Sequence, residues 1–391
     1  MRTKNLTDLV HDVHVLRAAE RARPDLDPME VAARAAWSVL VEPGDGVAGA
    51  LIAAYGAAAA LDLAAGGGAL LDRSVVDPRA LTDALARWMP RADPRAAADA
   101  LTSCHDVGGR MLLPGDPDWP AGFDDLGVHA PLVLWARGDA GVLHAGPTVS
   151  IVGARAASAY GEAVAGELAG DLAATGAVVV SGGAYGIDGT AHRAALGTGA
   201  PTVAFLAGGV DRAYPIGHQQ LFDRIRAEGA VISEVPCGSA PTKWRFLQRN
   251  RLISAAGLAT VVVEAGWRSG SLNTAGHASA LGRPLGAVPG PVTSPASAGC
   301  HRLLREYDAV CITCAQDVRE LWGDGPSQVA TARTDPDETR LLDAMSSRGA
   351  RSAAELARRS GLSVERTRAL LGLLALAGSA EQREHGWIRR G

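Results

Sequence analysis

The sequence predicts an α/β fold: a doubly wound, mostly parallel sheet, with a small helical domain ahead of it and a helix-turn-helix module behind it. Three observations carry that prediction. Seven short apolar runs, rich in β-branched residues, recur between about 109 and 320. Helix-like segments separate most of them. Glycine, at 47 of 391 residues, clusters where one pattern gives way to the other, as tight strand–helix turns require. The length suggests two or three domains. With 47% hydrophobic and 20% charged residues, the chain has enough apolar material for a substantial core.

In chain order, residues 1–28 are polar and mixed, and are expected to form a flexible lead-in. Residues 29–90 are rich in Ala and Leu, broken at Pro43-Gly44-Asp45-Gly46 and at Gly66-Gly67-Gly68. That pattern predicts several short helices packed as a small domain. A proline-bearing stretch, 90–120, leads to the α/β domain at 109–320. Its strands are expected at 149–152, 177–180, 202–206, 230–233, 260–263, 285–288 and 310–312. Helices are expected at 160–175, 188–197, 218–228, 244–256 and 272–282. The runs lack polar alternation, which is what a parallel sheet covered on both faces requires, so the domain is Rossmann-like. Residues 322–336 read as a linker. Residues 338–391 form the last module, with two short helices around Gly361 and a tail from Glu381 to Arg390 that suits a hairpin wing. From residue 340 onward ten Arg stand against five Asp and Glu. A basic winged helix fits duplex DNA or a protein partner, and both readings stand.

Several function classes are disfavoured. The first residues, MRTKNLTDLVHDVHV, lack the apolar run of a signal peptide. The apolar stretch 50–71 is mostly Ala and Gly and is interrupted by Asp62, so no membrane span is expected. A cytoplasmic location follows as the expectation. Five cysteines at irregular spacing argue against a disulfide framework. Cys311-Ile-Thr-Cys314, with Cys300-His301 upstream, is a lone CxxC. Adjacent ligands rarely share one tetrahedral ion, and Cys311 falls in an expected buried strand, so no metal is assigned.

Residues 243–251, Lys-Trp-Arg-Phe-Leu-Gln-Arg-Asn-Arg, are the most informative segment. Lys243, Arg245, Arg249 and Arg251 interleave with Trp244, Phe246 and Asn250 in a chain of net charge −4 that has 4% aromatic residues and only two lysines, Lys4 and Lys243. Cations meet phosphate oxygens and rings stack on unpaired bases, a combination suited to single-stranded nucleic acid. An amphipathic helix with a solvated arginine face and two buried rings is the alternative.

Three Gly- and Ser-bearing loops follow strands. Val152-Gly153-Ala154-Arg155 places a glycine and a guanidinium before a helix, where backbone N–H groups and a bidentate fork meet anions. Ser181-Gly182-Gly183-Ala184-Tyr185-Gly186-Ile187-Asp188 is another such cradle, with Asp188 expected to cap or orient it. It has neither the GxGxxG register nor a Gly-Lys-Ser/Thr, and the next strand ends without the ribose-binding acid. No nucleotide cofactor is therefore expected. Asp211, Tyr214 and His218 follow the third strand, with His218 at a helix start where capping is the common role. Glu264-Ala-Gly-Trp-Arg-Ser-Gly-Ser-Leu-Asn-Thr274 sets Ser269, Gly270, Ser271 and Thr274 at a third helix start, suited to phosphate or to a capping box. No nucleophile–base pair and no nucleotide-hydrolysis signature accompany them. The set favours binding a phosphodiester strand over catalysis.

Over roughly 109–315 these motifs resemble the DNA-processing protein A (DprA, or Smf) family: V-G-A-R, S-G-G-A-Y-G-I-D-G-T-A-H, A-G-G-V-D-R-A-Y-P, S-E-V-P-C-G-S-A-P, F-L-Q-R-N-R-L-I-S, V-V-V-E-A-G-W-R-S-G-S-L-N-T-A and A-V-P-G. The segments 29–90 and 338–390 are similar to its sterile-alpha-motif-like and winged-helix domains. The resemblance implies a non-catalytic homodimer that binds and protects single-stranded DNA and loads the recombinase RecA onto it in natural transformation. It implies that Arg155 holds phosphate, that Lys243 holds backbone, and that Phe246 stacks on a base. Arg249, Asn250 and Arg251 would line the pocket and Ser269, Gly270, Ser271 and Thr274 would complete it. Ala154 stands where the family commonly has Ser, and Leu247 where it usually has Pro. The alternative is a nucleoside-monophosphate phosphoribohydrolase on a related scaffold, although the Pro-Gly-Gly-x-Gly-Thr-x-x-Glu loop of those enzymes is missing between Gly266 and Thr274.

Overall fold

The computed structural model describes residues 6–66, 72–324, 336–347, 349–376 and 378–390. They fall into two compact units, split between Asp324 and Gly325. The central residues of the expected linker, 325–335, and Gly67 and Gly68 of the expected break lie outside the described residues.

Among the described residues the first unit opens with seven α-helices: α1 (Asp8–His11), α2 (Val13–Ala22), α3 (Pro28–Leu40), α4 (Gly46–Tyr55), α5 (Ala57–Ala65), α6 (Pro78–Trp88) and α7 (Pro94–Asp106). Three of them start at Asp-Pro pairs. Asp27, Asp77 and Asp93 accept from backbone N–H groups of the first turn, while the proline occupies a position whose N–H would be unpaired anyway. The expected lead-in is corrected: it is helical from Asp8, because Leu9, Val10, Val15, Ala18 and Ala19 share one face and bury it against α3 and α7. Trp37 and Trp88 meet edge to face, ring centroids 5.1 Å apart, in the centre of this layer. Among the described residues no single helix is long and apolar enough to cross a membrane, and α4 and α5 bend by 113° at their junction.

A nine-stranded sheet follows: β1 (Gly109–Leu112), β2 (Leu134–Gly138), β3 (Thr148–Val152), β4 (Val178–Ser181), β5 (Thr202–Leu206), β6 (Ala230–Ser233), β7 (Ala259–Val262), β8 (Leu285–Ala287) and β9 (Val310–Cys311). The order is β1-β2-β6-β5-β4-β3-β7-β8-β9, parallel from β6 to β9 and antiparallel at β1 and β2. The crossover helices are α8 (Ala159–Ala174), α9 (Ile187–Gly197), α10 (Gln219–Glu228), α11 (Lys243–Ala256), α12 (Ser271–Ala280) and α13 (Ala298–Glu306), and α14 (Ala315–Glu320) follows the last strand. Successive strand residues feed opposite faces. Val178 and Val180 join the core under α11 and α12, whereas Val179 joins the one under α8 and α9. One strand is misjudged from sequence: β9 is the sheet edge, and Cys311 is exposed there, as is Cys314 before α14.

His192 on α9 is fully buried, with Nδ1 2.8 Å from Thr202 Oγ1 on β5 and Nε2 without a partner. Burial pushes its pKa down to about 3. An unfolded histidine protonates near 6.5, so its contribution to stability is complete above that pH and is lost as the pH falls toward 3. Urea unfolding is expected to find wild type about 2 kcal/mol less stable at pH 5 than at pH 7 through this group alone. His192→Leu removes that share of the pH dependence, and an unchanged profile would refute the assignment.

The second unit holds α15 (Pro336–Ala344), α16 (Ala353–Ser360), α17 (Val364–Leu376) and the antiparallel hairpin β10 (Ala380–Arg383) and β11 (Gly386–Arg389). Gly361 ends α16 in the left-handed conformation (φ 73°), which turns the chain into α17. Leu341, Leu356, Leu370, Leu371 and Leu374 fill its own core. It is a winged helix.

Candidate nucleic-acid interface

In this topology the chain runs outward from β3 in both directions, through β4, β5 and β6 on one side and β7, β8 and β9 on the other. The switch point lies between β3 and β7, and ligands bind beyond the carboxyl ends of the strands there. A cavity of about 770 Å³ opens at that place. Loops 153–156 after β3 and 266–271 after β7 form two of its walls, and the start of α11 forms the third.

Helix α11 begins because Thr242 accepts from the N–H of Arg245 at 3.2 Å. Its first residue is Lys243, a cation at the positive end of a helix dipole, where it lowers helix stability. Local helix energetics therefore do not account for a lysine at this position. Arg245 is committed to Glu42 at 2.9 and 3.0 Å, whereas Lys243 is exposed on the cavity wall and has no carboxylate partner among the described residues. One turn on, Phe246 is half-buried. Its ring lies 4.8 Å from the guanidinium carbon of Arg155, 5.9 Å from that of Arg249 and 5.6 Å from the ring of Tyr214. Cation–π attraction holds one edge of this stack while Arg155 and Tyr214 stay exposed.

The alternative of a solvated arginine face with two buried rings is overturned. Trp244 is 54% exposed, while Arg249 and Arg251 are 5% and 3% exposed. Arg251 does not line the cavity. It forms a bidentate pair with Glu234, both bonds 2.7 Å, and Nε donates to His129 O. Arg249 lies at the cavity floor, donating from Nη1 to Phe205 O at 2.6 Å, with Nε unpartnered. Burial lowers its pKa to about 10, with Asp188 opposing that shift. Asn250 donates from Nδ2 to Asn273 Oδ1 at 3.1 Å and to Gly270 O at 3.4 Å, which ties α11 to the β7 loop.

Of the three expected anion loops, two already hold a carboxylate. The N-terminus of α8 is occupied by Glu264, 2% exposed, which accepts from Ser158 N at 2.8 Å and Ser158 Oγ at 2.7 Å. In the second loop Asp188 accepts from Gly182 N and Ala184 N, and burial pushes its pKa up. Ser181, Gly182 and Gly183 are buried and do not reach the cavity. Ser181 Oγ, at the end of β4, donates to Ile151 O of the adjacent strand β3 at 2.6 Å. Gly182 is glycine for space, since a Cβ there would come 1.9 Å from Arg249 Nη1. His218 caps nothing; its Nδ1 lies 3.0 Å from Gly183 O and fixes that loop.

The third loop is open. Gly270, at the N-cap of α12, makes no side-chain cap, so the alternative of a capping box is not realised. Ser269 Oγ and Ser271 Oγ lie 2.8 Å apart, and Ser271 N reaches Ser269 Oγ only at 3.4 Å. Gly153, Ser269, Gly270, Ser271 and Thr274 line the cavity together with Arg155, Lys243, Phe246, Arg249 and Asn250. Arg268, exposed on the same wall, was not anticipated, although its place inside Trp-Arg-Ser-Gly-Ser gave the signal.

A family model described as DNA recombination-mediator protein A matches residues 110–323, and one described as the DprA winged helix domain matches 325–386. The chain is 47% identical over 310 residues to the putative DNA processing protein DprA of Mycobacterium tuberculosis, spanning 74% of this chain and 79% of that protein. It is similar to the X-ray structure of DNA processing protein A from Streptococcus pneumoniae: TM-score 0.60, 29% identity, 74% of this chain and 96% of that one. It is also similar to the DNA processing protein A structure from Helicobacter pylori: TM-score 0.50, 31% identity, 54% of this chain and 94% of that one. Two matching domains in order, and a relative this similar along most of both lengths, lead to one conclusion: the chain belongs to the DNA recombination-mediator protein A family.

Proposed function

We propose that the cavity grips single-stranded DNA without breaking a bond, and that the chain, as a homodimer through its α/β domain, protects such a strand and loads RecA onto it in natural transformation. The observation that carries the first part is the convergence of Lys243, Arg155 and Arg268 with the Phe246–Tyr214 stack and the uncapped start of α12 in one cavity. Phosphate oxygens suit the cations and the hydroxyls of Ser269 and Ser271. An aromatic face suits a base only when that base is unpaired. The Helicobacter pylori relative binds single-stranded DNA, which supports the same reading here. Recombination mediation is what the family does, and RecA is the partner such a role needs.

Binding is tested by fluorescence anisotropy with labelled oligonucleotides. The protein is expected to prefer a single strand to a duplex, with affinity falling with salt at a log–log slope of about −0.7 per phosphate held. Phe246→Ala is expected to cost about 1–3 kcal/mol of binding. A duplex bound equally well, together with an unaffected Phe246→Ala, would remove the proposal. RecA filament assembly on the protected strand, followed by electron microscopy, is the readout for loading.

A further inference from the structure

We propose that Trp267, Arg302 and Tyr307 form a second stacking step for the same single strand, carrying it out of the cavity toward the β9 edge of the sheet. This rests on the reading of the cavity as a single-strand site. Trp267 stands between Gly266 and Arg268, both of which line the cavity, yet its own indole is 58% exposed. The three tryptophans Trp37, Trp88 and Trp135 are by contrast fully buried. An indole left in water at the lip of a charged cavity has apolar area to offer a ligand.

The neighbouring groups are ordered to receive one. Arg302, on α13, places its guanidinium carbon 5.3 Å from the Trp267 ring and 5.6 Å from the Tyr307 ring. The result is a ring–cation–ring ladder at the surface. Glu306 holds Arg302 through Nε at 2.8 Å, and among the described residues neither Nη group has an acceptor, which leaves them for a phosphate. The ground beneath is braced. Tyr160 Oη donates to Pro289 O at 2.6 Å, and His301 Nε2 lies 2.9 Å from Gly290 O.

Direction follows from topology. Helix α13 packs on β8, one strand outward from β7, whose loop supplies the cavity wall. A strand leaving between Arg268 and Ser269 on that side meets Trp267 next and Arg302 after it. The chemistry of the occupant is fixed by the groups: a flat, unpaired base for the indole, and a phosphodiester for the guanidinium. In a duplex the base faces are already stacked and closed to Trp267.

The test compares two oligothymidylates with the full chain, one of about three nucleotides that fits the cavity alone and one of about twelve, within the span of single-strand sites. Trp267→Ala is expected to weaken the longer oligomer about tenfold and to leave the shorter within about twofold. Trp267→Phe, which keeps a ring, is expected to restore most of the loss. Phe246→Ala weakens both. If Phe246→Ala weakens both oligomers while Trp267→Ala changes neither, the outward path is wrong and the cavity stands. If Trp267→Ala weakens both equally, the indole belongs to the cavity and no second step exists. If neither variant alters binding, the cavity reading fails and the ladder falls with it.

Discussion

Glu234→Ala is expected to destabilise the first unit by about 3–5 kcal/mol, measured by denaturant unfolding. Arg251 and Glu234 are 3% and 9% exposed at their side chains and meet in two bonds of 2.7 Å. Removing the carboxylate strands a guanidinium away from water with only the carbonyls of His129 and Gln248 as acceptors. The pair itself need not be worth that much. Replacing both partners by apolar residues of similar volume is expected to restore most of the stability, because neither charge is then buried alone. The single and double replacements together separate the strength of the pair from the penalty of breaking it. A Glu234→Ala protein within about 1 kcal/mol of wild type would mean that Arg251 finds water in solution.

The second large effect concerns the cations that stay free. Lys243→Ala with Arg155→Ala is expected to flatten the salt dependence of single-strand affinity by about 1.4 in log–log slope, about 0.7 for each phosphate released. At low salt the loss is expected to reach about 3 kcal/mol, since a hydrogen bond to a charged group contributes about 1.5–3 kcal/mol. The two substitutions are not equivalent. Arg155 also covers the Phe246 ring at 4.8 Å, so its removal loosens the stacking partner as well as the charge. A double-mutant cycle between Arg155 and Phe246 is expected to show coupling, whereas Lys243 and Arg155 should add more nearly. Slope and affinity both unchanged in the double variant would place the DNA elsewhere on the molecule.

The parallel strands were legible because a strand buried on both faces needs an uninterrupted apolar run, and Val178-Val-Val-Ser181 or Thr202-Val-Ala-Phe-Leu206 can hardly serve otherwise. The edge strand β1 and its neighbour β2 are not legible in the sequence. Gly109-Arg-Met-Leu112 and Leu134-Trp-Ala-Arg-Gly138 have no β-branched residue, and their pairing partners lie far along the chain. The Asp-Pro pairs at 27, 77 and 93 were available signals for helix starts, and the last of them would have extended the helical layer to Asp106.

At the site, residue types were readable and their allegiance was not. The loops after β3, β4 and β7 look equally ready for an anion in the sequence. Only the fold brings Glu264 against Ser158, 106 residues earlier, and so fills the first of them from within. Asp188 fills the second from the helix it opens. The cations of α11 divide in the same way. Lys243 stays free, Arg249 becomes the floor, and Arg245 and Arg251 are spent on Glu42 and Glu234. Alternation along the chain cannot reveal this, because partners from other elements decide it.

Glu42 links the amino-terminal helices to α11. It receives Arg245 of α11 and Arg91 from the turn after α6, and their hydrogen bonds and charge outweigh the upward push of burial and hold its carboxyl below the ordinary range. Two residues on, a Cβ at Gly44 would stand 2.6 Å from Gln248 Oε1, so the same turn also presses on the middle of α11. For protein engineering, the amino-terminal bundle is therefore not a detachable accessory. A shortened chain starting at Gly109 would keep every group that faces the cavity, yet α11 would lose its clamp. Chimaeras that exchange this bundle between relatives need to carry the 42–46 turn across with it.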